Sequence, residues 1–322
     1  MIRKAGYTMQ LLFLGTGAGM PSKQRNTTAT VLKLLDERGT FWMFDCGEAT
    51  QHQILHTTLK PRKLEKLFIT HLHGDHIYGL PGLLGSRSFL GGNEPLTIYG
   101  PKGIKAWIEL TLATSKTYVK YPLTINEIEE GIIFEDDQFI VEAKPLEHVI
   151  PCFGYKVTQK TLSPELLIEK TDALGVPRGP LLRQLKEGKD VELADGRVVK
   201  SAEVTGKPKE GFQVTILGDT KFCENSILLS NGSDIVVHEG TFDLETADLA
   251  RLYGHSTIVD AANVCKEANA KHLIINHISA RFMPSDMKEM LAQVEHYDFP
   301  VYVADDFAEF DWSDRTLVKR GN

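Results

Sequence analysis

No stretch of this sequence approaches the roughly 20 consecutive apolar residues that a membrane-crossing helix needs, so a helical membrane protein is excluded. Cysteine is scarce. Cys46, Cys152, Cys223 and Cys265 lie far apart and show no paired spacing. That pattern favours reduced thiols over a disulfide framework and points to the cytoplasm. Positive charge is not in excess either: 36 Lys and Arg stand against 43 Asp and Glu, for a net charge of −7 and a pI near 5.9. Nothing global advertises nucleic-acid binding, so an RNA substrate would have to meet local basic patches. Charged residues precede an apolar stretch at the N-terminus, as in a secretory signal. The apolar part spans only Leu11 to Leu14, however, shorter than an h-region of about 7–15 residues. It reads as a first core strand, with residues 1–8 as a short N-terminal extension.

What is present is a mixed rhythm. Short runs rich in β-branched and aromatic residues recur at Gln10–Leu14, Thr28–Leu35, Phe41–Phe44, Leu67–Thr70, Leu96–Tyr99 and Gln138–Ala143. They continue at Phe153–Val157, Gln213–Leu217, Asp234–Val237, His272–Ile275 and Val301–Val303. Helix-like stretches lie between them at Glu48–His56, Ile77–Phe89, Ile104–Ser115, Thr257–Glu267 and Ser285–His296. Strands and helices alternating in both halves imply an α/β protein with two central sheets and helices outside. One segment breaks the rhythm. From Lys156 to Lys209 the chain carries Gly175-Val176-Pro177 and Gly179-Pro180, short apolar pairs, and 11 basic against 8 acidic residues. It reads as an insertion, residues 156–209, within a catalytic domain made of 9–155 and 210–322.

The decisive string is Thr70-His71-Leu72-His73-Gly74-Asp75-His76, placed directly after the apolar run Lys66–Ile69. Alternation along an extended chain puts His71 and His73 on one face. Gly74 permits a sharp turn, and Asp75 and His76 enter the next helix pointing back to the same space. Four ligands within six residues can serve two adjacent ions. Imidazole suits Zn²⁺, and the carboxylate widens the tolerance to Mn²⁺ and other divalent metals. Further ligands should come from strand ends downstream: His148 beyond Gln138–Ala143, Asp219 after Val214–Gly218, and His277 after Leu273–Asn276.

These motifs resemble the metallo-β-lactamase superfamily and, within it, the ribonuclease Z family, over nearly the whole chain from Met9 onward. The resemblance implies an αββα sandwich holding two Zn²⁺ per subunit. One ion would sit on His71, His73 and His148, the other on Asp75, His76 and His277, with Asp219 bridging both. Three further strings resemble that family. Pro21-Ser22-Lys23-Gln24-Arg25-Asn26 matches its Pro-x-Lys-x-Arg-Asn loop, so Lys23, Arg25 and Asn26 are candidate substrate contacts. His238-Glu239-Gly240-Thr241 and His255-Ser256-Thr257 match its His-Glu-Ala-Thr and His-Ser-Thr motifs, with Gly240 a small-for-small change expected to alter little. His277-Ile278-Ser279-Ala280-Arg281-Phe282 leaves Arg281 for a phosphate, although Phe282 stands where the family usually has Tyr.

Function follows as an expectation: an endoribonuclease that removes the 3′ trailer of precursor tRNA, leaving a tRNA 3′-hydroxyl and a 5′-phosphorylated trailer. Asp75 is expected to be a ligand and also the general base for the attacking water. His255 is expected to protonate the leaving 3′-oxygen, with Glu239 orienting it. The insertion resembles the protruding arm, or exosite, through which the family grips tRNA, and Gly175–Pro180 resembles its hallmark. Arg178 and Arg183 are candidate contacts there, since helical RNA is read through shape and backbone. The resemblance also implies a homodimer, and no association with a membrane is expected. Another hydrolase on the same fold, a small-molecule phosphodiesterase, lactonase or arylsulfatase, would explain the ligands equally well. It would leave the Pro21–Asn26 loop and the arm without a purpose. A non-catalytic metal-bearing RNA-binding protein is disfavoured, because seven ligands for two ions leave coordination positions open.

Overall fold

A computed structural model describes residues 9–35, 38–162, 164–206, 210–313 and 315–320. The expected extension, residues 1–8, lies outside them.

Two sheets form the centre. The first has eight strands in the order Thr316–Lys319, Glu309–Ser313, Met9–Gly15, Ala29–Leu34, Thr40–Phe44, Leu64–Phe68, Leu96–Gly100 and Leu123–Glu127. The second has seven: Val301–Val303, Leu273–Asn276, Ile235–Glu239, Gln213–Ile216, Cys152–Gln159, Phe139–Leu146 and Gly131–Glu135. The sheets meet through aromatic side chains. Tyr155 of the second packs within 5.4 Å of Phe68 and 6.0 Å of Phe44 on the first, and its hydroxyl donates to the Ile69 carbonyl. Helices Leu80–Phe89 and Ile104–Thr114 cover the outer face of the first sheet through Leu83, Leu84, Ile104 and Ile108. Helix Ile258–Glu267 covers the second through Ile258, Ala261, Ala262 and Cys265. Its entry is fixed by a reciprocal capping box between Thr257 and Asp260. The layering is the αββα sandwich expected from the sequence.

Strands Gln213–Ile216, Ile235–Glu239 and Leu273–Asn276 run parallel and in register. Their C-terminal ends therefore lie side by side, and the residues that follow them, Asp219, Gly240 and His277, emerge at one edge. Four strands of these two sheets were not anticipated: Leu123–Glu127, Gly131–Glu135, Glu309–Ser313 and Thr316–Lys319. They are largely half-exposed, and three of them lack a run of three apolar residues; Gly131–Glu135 carries Ile132-Ile133-Phe134, with Ile132 exposed and the other two half-buried.

The chain divides into two compact units, one of Met1–Ile133, Val141–Val157 and Gln213–Asn322, the other of Phe134–Ile140 and Thr158–Phe212. The expected boundary at residue 156 falls inside strand Cys152–Gln159, which continues past it. The second unit has its own small core of Val176, Leu185, Val191, Leu193, Val199 and Val204. Around it lie helices Ile168–Ala173, Pro180–Lys186 and Ser201–Val204 and the two-stranded ribbon Val191–Glu192/Val198–Val199.

Candidate metal centre

Strand Leu64–Phe68 ends just before the histidine string. Residues Thr70 to His73 then run irregularly into the short helix Gly74–Ile77. Glycine at 74 supplies space rather than an unusual dihedral, because a Cβ there would lie 2.2 Å from the Tyr78 ring. Gly47 has a stricter role. A Cβ at 47 would stand 2.4 Å from the Asp75 carbonyl oxygen, so only glycine lets the turn after strand Thr40–Phe44 come this close.

The seven expected ligands converge. His71 Nε2 lies 3.0 Å from His73 Nδ1, which lies 3.3 Å from His148 Nε2, and Asp219 Oδ2 is 3.6 Å from His71 Nε2. In the neighbouring group His76 Nε2 lies 3.2 Å from His277 Nε2, and Asp75 Oδ2 is 3.3 Å from His277 and 3.5 Å from His76. Asp219 Oδ2 reaches this group too, at 3.5 Å from His76 and 3.4 Å from His277. These are the separations of ligands around a tetrahedral ion. Bonds of about 2.0–2.1 Å at tetrahedral angles place ligand atoms about 3.3 Å apart.

The outer nitrogens decide which ring atoms carry lone pairs. His148 Nδ1 meets the Gly254 carbonyl at 2.7 Å and His76 Nδ1 meets Asp45 Oδ2 at 2.7 Å, both acceptors. His71 Nδ1 meets Thr70 Oγ1 at 3.0 Å, and that hydroxyl donates to Asp45. The inward nitrogens of these rings face one another and two carboxylates, and their lone pairs are what a divalent cation would take. By the chemistry of its donors the cluster fits a divalent metal.

Electrostatics divide the histidines: against burial, Asp219 and Asp45 hold the His76 ring well above the ordinary imidazole value. Burial pushes the His71 ring well below the ordinary imidazole value, and neighbouring His76 adds to it. Burial would raise Asp219, but His277, His76 and His71 hold it well below the usual carboxylate range. Asp75 likewise stays ionised against burial, held down by His277 and His76. The Gly19 amide also donates to Asp75 Oδ2 at 2.7 Å.

Beside the ligands, His255 Nδ1 lies 2.9 Å from Glu239 Oε1. Burial would lower the His255 pKa, but Glu239 and Asp219 raise it to about 9, so the ring is protonated at neutral pH. Glu239 is itself buried and accepts from the Thr220 amide at 2.8 Å. Gly240 does more than stand in for alanine. A Cβ there would lie 2.6 Å from Ile275 Cγ2, so alanine would force Ile275 to move.

The basic loop is where sequence and structure part. Arg25 does not face a substrate. It is buried, its Nη1 donating to Thr16 Oγ1 at 2.7 Å and the Ala304 carbonyl at 2.6 Å, and its Nη2 pairing with Asp305 at 2.9 Å. Asn26 is also framework: its amide donates to Asp306 at 2.7 Å and its side chain to the Glu48 carbonyl at 2.9 Å. For Arg25 this is a correction to the expected substrate contact, and the physical reason is the Asp305 carboxylate and the Ala304 carbonyl that close over its guanidinium. Lys23 is exposed, as is Arg281. Their segments adjoin, because Ile278–Ser279 pairs with Gly17–Ala18. In the second unit Arg178 and Arg183 are exposed and paired with Asp172 and Glu187. Sequence reasoning missed Asp45, Thr70, Thr241 and the Gly19 amide. Only Asp45 offered a signal, as another carboxylate at the end of an apolar strand.

Comparison with known proteins places this geometry. A family model described as "Anti-Pycsar protein Apyc1" matches residues 9–149, under half of the chain. A ribonuclease Z of Anoxybacillus flavithermus is 52% identical over 315 residues, covering 98% of this chain and 99% of the relative. Human tRNase Z, short form, shares 30% identity and a TM-score of 0.66 over 93% of this chain and 98% of that one. The metallo-β-lactamase fold protein YhfI of Bacillus subtilis, at 16% identity and a TM-score of 0.66, shares the fold over 95% of this chain and all of its own.

Proposed function

This chain belongs to the ribonuclease Z family of metallo-β-lactamase-fold hydrolases, and from that premise we propose that it cuts the 3′ trailer from precursor tRNA with two zinc ions held in the cluster described above. It is a metal-dependent endoribonuclease of tRNA 3′ processing. The observation that carries the finer reading is the convergence of His71, His73, His148 and Asp219 beside Asp75, His76 and His277, with Asp219 Oδ2 also 3.5 Å from His76 and 3.4 Å from His277. His71, His73 and His148 would hold one ion and Asp75, His76 and His277 the other. When bound, the ions supply Lewis-acid charge and make a water acidic enough to attack near neutral pH.

The rest of the chemistry belongs to the chain. Asp75, ionised and fixed by the Gly19 amide, takes the proton of the attacking water. His255 has its Nδ1 tied to Glu239, which leaves Nε2 to deliver a proton to the departing ribose 3′-oxygen. Glu239 keeps that ring charged and oriented. Lys23 and Arg281, exposed on adjoining segments, are our candidates for phosphates of the acceptor end. Arg178 and Arg183 of the second unit are our candidates for the body of the tRNA. The products are a tRNA 3′-hydroxyl and a 5′-phosphorylated trailer.

Family membership also supports a homodimer, and Leu55, Phe89 and Leu90 are large apolar side chains left exposed on this chain. Four buried, unpaired cysteines support a cytoplasmic location. No helix among the described residues is long and apolar enough to cross a membrane.

The test is cleavage of a 5′-labelled precursor tRNA with and without a chelator. A single chelator-sensitive cut at the 3′ side of the acceptor stem is expected. Metal-dependent hydrolysis of a small phosphodiester with precursor tRNA left uncut would move the substrate to a small molecule. Sedimentation of the purified chain checks the dimer.

A further inference from the structure

Two buried carboxylates serve the cluster by the same device. Asp45 Oδ2 accepts from His76 Nδ1 at 2.7 Å and from the Thr70 hydroxyl at 2.9 Å, while that hydroxyl lies 3.0 Å from His71 Nδ1. Glu239 accepts from His255 Nδ1 at 2.9 Å on Oε1 and from the Thr241 hydroxyl at 2.5 Å on Oε2, while that hydroxyl lies 2.9 Å from His277 Nδ1. Each carboxylate thus holds one histidine directly and a second through a threonine. What they join differs. Asp45 ties together two metal ligands. Glu239 ties a metal ligand, His277, to the proton donor, His255.

A hydroxyl has one proton to give, and a buried carboxylate acceptor claims it. Thr241 Oγ1 must then accept from the imidazole, so the His277 proton sits on Nδ1 and its Nε2 lone pair faces Asp75, His76 and Asp219. The need for such a tether is clear from the backbone. His277 has φ of +57°, the left-handed region that a side chain other than glycine seldom adopts, so its ring is delivered from a turn and not from the regular strand before it. The same hydroxyl occupies Glu239 Oε2, which leaves Oε1 turned to His255.

We propose that Thr241 is a positioning residue that couples metal binding to proton delivery: it fixes the His277 tautomer and, through Glu239, the orientation of His255. This rests on the assignment of His277 as ligand and His255 as acid. Valine at 241 keeps the shape and removes the hydroxyl, whereas serine keeps the hydroxyl. In Thr241→Val, titration of the metal-free protein with Zn²⁺ should show one of two affinities weakened about 10–100-fold, the range for loss of an outer partner of a metal-bound histidine. At saturating Zn²⁺, kcat for precursor tRNA should still fall about tenfold with KM unchanged, because the acid is misaligned. Thr241→Ser should restore both quantities.

The ¹⁵N spectrum of the histidine rings in the metal-free wild type, with His277 assigned by its loss in His277→Gln, should show the proton on Nδ1. Wild-type metal affinities in Thr241→Val, or a proton on His277 Nε2, would overturn the proposal. If Thr241→Val does not fold, the wild-type spectrum and the serine variant decide it. A wild type that binds two ions and leaves precursor tRNA uncut would instead overturn the tRNA reading, with the affinities and the tautomer still deciding the part played by Thr241.

Discussion

The metal centre and the inserted unit solve opposite problems with the same kinds of residue. In the centre, polar side chains are buried and doubly engaged: four ligand histidines, His71, His76, His148 and His277, each meet a second partner on the outer nitrogen. In the inserted unit, charged side chains are exposed and pair with near neighbours in sequence, as Arg178 with Asp172, Arg183 with Glu187 and Arg197 with Asp195. Pairs of the second kind are screened by solvent, contribute little and exchange readily for other anions. A buried network fixes geometry to within the tolerance of a reaction, whereas a fringe of exposed arginines can be re-paired by phosphates. The difference is between a site that must not move and a surface that must adapt.

Five variants sharpen or break that contrast. Asp219→Ala removes the carboxylate common to both ligand groups, and cleavage of precursor tRNA should fall by about 10³-fold or more. Metal analysis should show fewer than two ions, and two retained ions with normal turnover would break the contrast at its centre. His255→Ala should cost about 10²–10⁴-fold in single-turnover rate with metal content intact. Because the acid must be protonated, the wild-type rate should fall on the alkaline side, and Glu239→Gln should shift that fall toward lower pH by removing the charge that raises the His255 pKa. Asp45→Asn takes the charged acceptor from His76 and Thr70, and metal affinity should drop about 10–100-fold in calorimetric titration. Arg178→Ala with Arg183→Ala should change the melting free energy by about 0.5 kcal/mol or less. Precursor-tRNA affinity should fall modestly with a shallower salt dependence. Unchanged affinity and salt slope in a filter-binding assay would remove these two arginines from the tRNA contact.

The parts legible in the sequence were those whose signal is local. Four ligands sit in six residues of one string, and Asp219 and His277 follow apolar strands whose direction alone places them at the sheet edge. The supporting groups were not legible, because Thr70 and Thr241 are ordinary hydroxyls whose role exists only once strands far apart in sequence lie side by side. Arg25 misled for the same reason. In sequence it stands on a polar loop; in the fold Asp305 and the Ala304 carbonyl, some 280 positions later, close over it. Strand Glu309–Ser313 escaped notice because only every second residue, Phe310 and Trp312, is buried.

That closure has a consequence for biosynthesis. The first strand, Met9–Gly15, lies between Ala29–Leu34 and Glu309–Ser313, and the loop that brings the Gly19 amide to Asp75 is pinned through Arg25 to residues 304 and 305. A ribosome-bound chain emerges N-terminus first, so it displays the histidine string long before His277 or the clasp for Arg25 has been made. The ligand set and the clasp around Arg25 are complete only after residues 277, 304 and 305 have emerged, so the cutting geometry follows them.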